Sequence, residues 1–436
     1  MSQSPPAPAS VELHRNVGLL AAIGSGTGLI VGAGVYVLIG EVADVAGNAV
    51  WASVLLAGAV ALFTGLSYAE LSAMHPRAAA SYLYVREAFG AGPACLIGSL
   101  AVFSQVVSVS AVALGFGSYL DDQFGFSIVA GAVLIILGSG VISYRGVKES
   151  TIIGSILSLV EIVGLAIVIT AGVRFIGDQD LLELSEGASG LFTGASLMFF
   201  AFLGFEQIAN FAQEIKDPGK NVPRAILFSG GIAAALYVLA AVASVSVLGW
   251  EALSASKGPL AAVAERAIGS WGSDMLFVIA LVATSSTVLI ALATVTRAVY
   301  GMAASGALPK GLARVGLGRR TPWVAIVAVT VVAGLIALAG DIGVVAETAN
   351  FTILLVFVAV NCSLIVLRRK RPSAERPFRI PVSLFGAPVS AALGIVGSVF
   401  LMINVSLNAA LYGLLVIAIG GTLYMAGRKA RGARKP

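Results

Sequence analysis

The chain has 436 residues, 58% of them hydrophobic and 11% charged, with a mean hydropathy of +0.97. These values exclude an ordinary soluble domain, in which charged residues make up about a quarter of the sequence. The net charge of +5 and pI of about 9.2 do not point to nucleic acid, because the basic residues gather beside apolar runs, as at an anionic membrane face.

Those runs are about 20 residues long, the length that a hydrocarbon core of ~30 Å requires. About twelve can be distinguished: near 17–40, 46–73, 92–118, 125–144, 151–173, 191–213, 223–248, 272–304, 322–340, 344–367, 387–406 and 408–427. The last two are joined by almost no loop. Met1–Ala9 is polar and proline-rich and reads as a disordered tail. No cleavable signal peptide is visible, since the first apolar run is a full span. With both termini on the cytoplasmic side, all but Arg174, Lys257 and Arg266 of the 27 lysines and arginines fall inside. Of the 22 acids, six (Glu12, Glu87, Glu149, Glu214, Asp217, Glu375) lie inside and three within spans; the rest lie outside. An odd number of spans scrambles this separation.

The first run carries an interruption, Ile30-Val31-Gly32-Ala33-Gly34-Val35-Tyr36. A spanning helix hides its backbone N–H and C=O groups within itself, because hydrocarbon offers them no partner. Each glycine costs about 1 kcal/mol relative to alanine in a helix interior, so Gly32 and Gly34 weaken this helix in its middle. Broken backbone at that depth is tolerated where it lines a cavity or a bound ligand. Freed N–H groups at Val31, Gly32, Ala33 and Gly34, at the start of a half-helix, suit an anionic carboxylate. A small-residue face for helix packing is the plain alternative.

Next along the chain, Glu70 lies near the cytoplasmic end of the second run and reads as structural. Ala78–Gly90 is amphipathic and too charged to span, which fits an interfacial helix. Glu161 stands in the aliphatic fifth run, and the outer loop 175–190 is acidic. The sixth run repeats the interruption of the first, as Phe199-Phe200-Ala201-Phe202-Leu203-Gly204-Phe205-Glu206. Interrupted helices in matching halves of a chain point to a transporter's substrate site. Pro223 reads as a first-turn proline opening the seventh run, and Leu260–Ile268 as a short outer cap. The eighth run is polar, with Thr284-Ser285-Ser286-Thr287, Thr294, Thr296 and Arg297; the last reads as a cytoplasmic gate or anchor. The basic segment Leu367–Pro381 reads by position as a topology anchor. Cys95 and Cys362 read as small apolar residues, and His14 and His75 have no second ligand nearby, so no metal site is expected.

Val31–Leu38, Ser81–Gly90, Gly146–Ser150, Gly204-Phe205-Glu206 through Glu214, Asp217-Pro218 and Pro223, Arg297 through Pro309, and Arg376–Pro381 occur in one order over about 15–385. Together they resemble the amino acid–polyamine–organocation family of secondary transporters, most of all its cationic-amino-acid-transporter branch and the prokaryotic relatives of that branch. The resemblance implies an all-α polytopic membrane protein with about twelve spans and a LeuT-like five-plus-five inverted repeat. A tail at 1–15 precedes a first repeat at 16–174 and a second at 175–367; 368–427 holds the basic loop and two peripheral helices, and 428–436 a basic tail. It also implies import of an amino acid or amine, coupled to protons. Ile30, Val31, Gly32, Ala33 and Gly34 would face the substrate carboxylate. Carbonyls at Phe200, Ala201 and Leu203, beside Gly204 and Glu206, would face its ammonium, with Phe200 as outer gate. Glu206 falls where the family often has an acid, so a conformational role is open to it.

Glu161 departs from the pattern, since proton-coupled members of the branch often carry a lysine there. A carboxylate at the bilayer centre is costly unless paired or protonated, so it is a functional candidate. Four roles are open: a proton carrier; a cation site with Ser285, Ser286 and Thr287 that would suit sodium; a counter-charge for a cationic substrate; or a structural hydrogen bond. The reading is a plasma-membrane importer of amino acids with no cofactor, the proton (or sodium) as coupling ion, and the lipid bilayer as surroundings, with neither nucleic acid nor an obligate protein partner. An amine, polyamine or ethanolamine carrier or exchanger, and a sensor built on a transporter fold, are the alternatives. An enzyme would need a nucleophile–base or metal constellation that this sequence lacks, and a channel would want a selectivity ring.

Overall fold

In hydrocarbon only a closed barrel or a helix satisfies every backbone group, and long apolar runs without strand alternation choose the helix. The computed structural model describes residues 17–418, apart from 77–79, 146–150, 186, 211, 213, 305–307, 317–320, 385 and 416, and the backbone alone at 151–156 and 158. The two tails, His14, the Gly146–Ser150 motif and half of the twelfth run lie outside the described residues.

Helices α1 (Leu19–Ile30) and α2 (Gly34–Ala46) divide the first expected span, and α3 (Val50–Met74) is the second. The amphipathic segment is helical as α4 (Ala80–Phe89), followed by α5 (Ala91–Phe124), α6 (Ile128–Arg145) and α7 (Thr151–Gly172). The sixth run is divided into α8 (Gly187–Met198), a 3-10 turn over Phe199–Phe202, and α9 (Phe205–Asn210). Then come α10 (Pro218–Ala255), the short α11 (Pro259–Ile268), α12 (Ser270–Ala304), α13 (Trp323–Ala337), α14 (Ile342–Lys370) and α15 (Val389–Ile403). One two-residue hairpin, β1 (Ser383–Leu384) against β2 (Ala387–Pro388), interrupts the all-helical expectation.

Seven helical stretches among the described residues are long and apolar enough to cross a membrane, or eight if α15 and the helix Leu407–Leu415, bent by 111°, form one span. That count covers the described residues only, so it omits α7, whose first turns are described by backbone alone, and half of the twelfth run; the rest of the difference from twelve is a matter of length. Helices α2 and α3 run on without a loop and count once, as Gly34–Met74, while α1 and α13 have 12 and 15 residues. At 1.5 Å per residue, 15 residues reach about 22 Å, short of a ~30 Å core. Pro223 does not open the seventh span. Asp217, at φ 46°, leads into Pro218 at the start of α10, and Pro223 sits inside that helix. Gly249, at φ 75°, breaks α10 where the seventh run ends.

Helix α3 lies along α10, α5 packs against α12 and α14, and α2 against α8. Tyr68 of α3 meets Tyr84, Phe205 and Phe357 edge-on at 5.8–5.9 Å, joining α3, α4, α9 and α14 at one aromatic node. Glu183 accepts hydrogen bonds from Asn48 Nδ2 (2.9 Å) and Trp250 Nε1 (3.3 Å), which straps the acidic loop across the ends of α2, α3 and α10. Lys257, before α11, pairs with Asp121 at 2.7 Å, and that hydrogen bond raises its ammonium pKa above the usual value.

Glu70 is structural, and its partners come from the loop expected only to anchor topology. Its carboxylate is fully buried and accepts Arg368 Nε at 2.8 Å, a second, very short bond from Arg368 Nη2, and the Ile380 N–H at 2.9 Å. Arg376 Nε lies 3.3 Å from Oε1. Removing one member of a buried ion pair leaves the other charge unsolvated, which costs about 3–5 kcal/mol. Glu70→Ala should therefore lower the thermal unfolding midpoint in detergent markedly. The double variant Glu70→Ala with Arg368→Met should recover part of the loss.

Candidate functional site

The two interruptions meet. Helix α1 ends with Val31 N–H donating to Thr27 O at 2.7 Å; Gly32 and Ala33 belong to neither helix, and α2 restarts at Gly34. A Cβ on Gly34 would lie 2.7 Å from the Ala201 Cα, so only glycine lets α2 approach the second break this closely. Gly204 is held at φ +123°, and a Cβ there would lie 2.3 Å from Leu29 O. Glycine is thus required at Gly204 both by conformation and by contact with α1. Backbone crosses backbone at two points one turn apart.

The polar groups freed by each break are taken up by neighbours. Tyr237 of α10, fully buried, points its hydroxyl at Ile30 O (2.7 Å) and Ala201 O (3.0 Å), so one side chain ties both breaks. Phe200 O accepts Leu203 N–H at 3.1 Å within its own turn. Of the three carbonyls expected to be free, those of Phe200 and Ala201 therefore already have donors. Ala33 N–H donates to Thr287 Oγ1 at 3.3 Å, whereas Gly32 N–H meets no acceptor among the described residues. The Phe200 side chain is buried within the 3-10 turn.

Glu206 faces its own break. Its Oε2 accepts Gly204 N–H at 2.9 Å and its Oε1 accepts Gln207 Nε2 at 3.2 Å, so it caps the start of α9. Both contacts are local to the break. Glu161 is buried on α7 and accepts Ser286 Oγ at 3.2 Å. Its backbone carbonyl accepts the Tyr36 hydroxyl at 2.6 Å, and Tyr36 O accepts the Tyr119 hydroxyl at 3.0 Å. Gly164, one turn along α7, leaves room for the Tyr36 ring: a Cβ there would lie 2.4 Å from its hydroxyl oxygen.

Of the three hydroxyls grouped on the eighth run, Ser286 reaches Glu161 and Thr287 reaches Ala33. Ser285 instead donates to Leu281 O of its own helix at 2.5 Å and joins neither. Residues at i and i+1 on a helix point in different directions, so a run of three hydroxyls cannot all face one site. Tyr237 and Tyr119 were not legible as site residues. Each is a lone tyrosine in an apolar run, and its partner lies across the fold.

A family model described as amino acid permease matches residues 17–420. The chain belongs to that family. It is similar to the branched-chain amino acid permease BcaP of Bacillus subtilis, at 27% identity over 95% of this chain and 93% of the relative. An uncharacterized transporter of Mycobacterium tuberculosis is 30% identical over 95% of this chain and 91% of its own length. Mouse cationic amino acid transporter 4 is 30% identical over 83% of this chain and 61% of its own. The protein is thus a multi-pass membrane permease rather than an enzyme, and its family implies a small-molecule amino acid substrate.

The glycine at the second break gives this permease a sharp test. In Gly204→Ala the backbone conformation alone costs about 1–3 kcal/mol, and the clash with Leu29 O adds to it. The unfolding midpoint and uptake should both fall. Gly334→Ala in α13, where a Cβ meets open space, should leave both unchanged or raise the midpoint.

Proposed function

We propose that the protein is a secondary active transporter that imports amino acids across the plasma membrane by alternating access, coupled to protons with Glu161 as carrier. The observation that carries this reading is the meeting of the two interrupted helices at Gly34–Ala201 and Gly204–Leu29. Residues 16–174 and 175–367 form the two inverted repeats on this reading, each opening with a broken span, within a twelve-span chain whose termini are cytoplasmic. The lysine and arginine asymmetry supports that orientation.

The substrate carboxylate is received at the start of α2. The N–H of Gly32 is available there, and that of Ala33 is held only by the hydroxyl of Thr287, which the carboxylate replaces. The positive end of the α2 dipole favours this charge. The substrate ammonium takes carbonyls of the second break as the Tyr237 hydroxyl gives them up. The surrounding side chains, Phe200, Ala201 and Leu203, are apolar and suit a neutral side chain. The names of the similar branched-chain permease and of the cationic transporter bracket the same class.

Glu161 would act from beside the first break. In its neutral form it can donate a hydrogen bond, and in its charged form only accept. A charge formed there without a partner costs several kcal/mol. Because its backbone carbonyl holds Tyr36, just past the break in α2, loading and release of the proton are felt where the helix is interrupted. Sodium coupling is the second reading. It is favoured by the convergence of the Glu161 carboxylate and the Ser286 hydroxyl, an oxygen pair of the kind a hard cation takes.

Uptake of a panel of amino acids, with ethanolamine and a polyamine, into proteoliposomes under an imposed proton or sodium gradient tests both readings. An inward proton gradient should drive uptake of a neutral amino acid in the wild type. Glu161→Gln should abolish that drive while substrate binding survives. Uptake that requires sodium, or that ignores the mutation, contradicts the proton mechanism.

A further inference from the structure

A cleft of about 260 Å³ opens between α3 and α10 and shares only Ile30 with the residues expected to face the substrate. Its floor is Ile30, Phe202 and Phe205, and its walls include Gly58 and Gly65 of α3 and Gly230 and Gly231 of α10. Glycines on both walls are what leave the space unfilled by the chain itself. Leu55 and Leu62 line its rim and are 50% and 45% exposed, so the cleft is continuous with the outer apolar face of the bundle. None of its lining residues carries a charge or a polar side chain.

Position then selects the occupant. From Leu55 to Gly65 the cleft runs roughly 15 Å along α3 at 1.5 Å per residue, in the middle of a span of 25 residues. The hydrocarbon core is ~30 Å thick, so the mouth lies at the depth of acyl chains and below the reach of headgroups. An apolar cleft at that depth, open sideways, is filled by the solvent that surrounds it.

We infer that this cleft is a binding site for one phospholipid acyl chain, entering from the bilayer between α3 and α10 and resting on the back of both interrupted helices. The floor gives the site its consequence. Ile30 is the last residue before the first break, and Phe202 and Phe205 flank Leu203 and Gly204 at the second. Phe202 and Phe205 are 2% and 3% exposed and contact hydrocarbon only if a chain enters. The Phe202 ring also stacks edge-on with Tyr237 at 5.3 Å, the residue that ties the breaks together. A chain in the cleft therefore supports the wall against which the breaks move, so transport should respond to acyl-chain structure as well as to headgroup.

The test uses the full chain in vesicles of phosphatidylethanolamine and phosphatidylglycerol, doped with a phospholipid carrying a diazirine at the middle of one acyl chain. Photolabelled residues are mapped by mass spectrometry, which reads occupancy whether or not the protein moves amino acids. The expected result is labelling of Phe202 or Phe205 in the wild type and its loss in Gly231→Phe, whose added side chain meets open space at the backbone and fills the cleft. Gly334→Phe, on another outward surface, should leave floor labelling intact. Labelling confined to Leu55 and Leu62, floor labelling indifferent to Gly231→Phe, or a cross-linked second copy of the chain at this face would each overturn the inference.

Discussion

A backbone carbonyl that loses its helical partner inside hydrocarbon must find another donor or pay the full cost of desolvation. The structure answers that constraint by placing its two losses against each other. Ile30 O and Ala201 O, one from each interrupted span, share the hydroxyl of Tyr237. The sharing is possible because Gly34 and Gly204 let the two backbones cross without side chains between them. Everything nearby follows from this crossing. Glu206 caps the helix that restarts after Gly204, Thr287 covers the N–H of Ala33, and Tyr36 carries the restarted α2 onto α7 beside Glu161. An arrangement of side-chain caps is easier to exchange than a helical ladder, and on the proposed reading a substrate carboxylate and ammonium take the place of those caps.

The surroundings of Glu70 work differently. Glu70 is locked by two arginines and a backbone N–H. Lys370 adds a bond to Ala88 O at 2.9 Å, and Arg371 pairs with Glu87 at 3.0 Å. These contacts bind the basic loop after α14 to the ends of α3 and α4. The buried charges of the loop thus hold helices together, and on the proposed orientation its exposed ones face the anionic leaflet.

Much of this was legible in the sequence, and the reason is local. Glycine within an apolar run signals a break wherever it falls, so both interruptions, at Gly32–Gly34 and at Gly204, could be placed to within a residue or two. The amphipathic α4 and the cap α11 also carry their signal in their own composition. What escaped was pairing across the fold. Nothing adjacent to Tyr237 marks it as the link between residues 30 and 201, and nothing in Leu367–Pro381 shows that Arg368 and Arg376 turn inward to a glutamate some 300 positions earlier. The hydroxyls at Ser285, Ser286 and Thr287 show the middle case. Their grouping was visible, but helix geometry sends only the last two toward the site. Within the described residues the span count is partly a matter of length, since α1 and α13 are short and α2 runs on into α3.

The central claim is that the two interruptions form one substrate site. In a background with Cys95 and Cys362 replaced by alanine, single cysteines at Ala33 and Ala201 can be alkylated in proteoliposomes with and without a transported amino acid. The account predicts that the same substrate slows alkylation at both positions, with the same half-saturating concentration. Protection at one position alone, or at neither while uptake persists, would place the substrate elsewhere and contradict it.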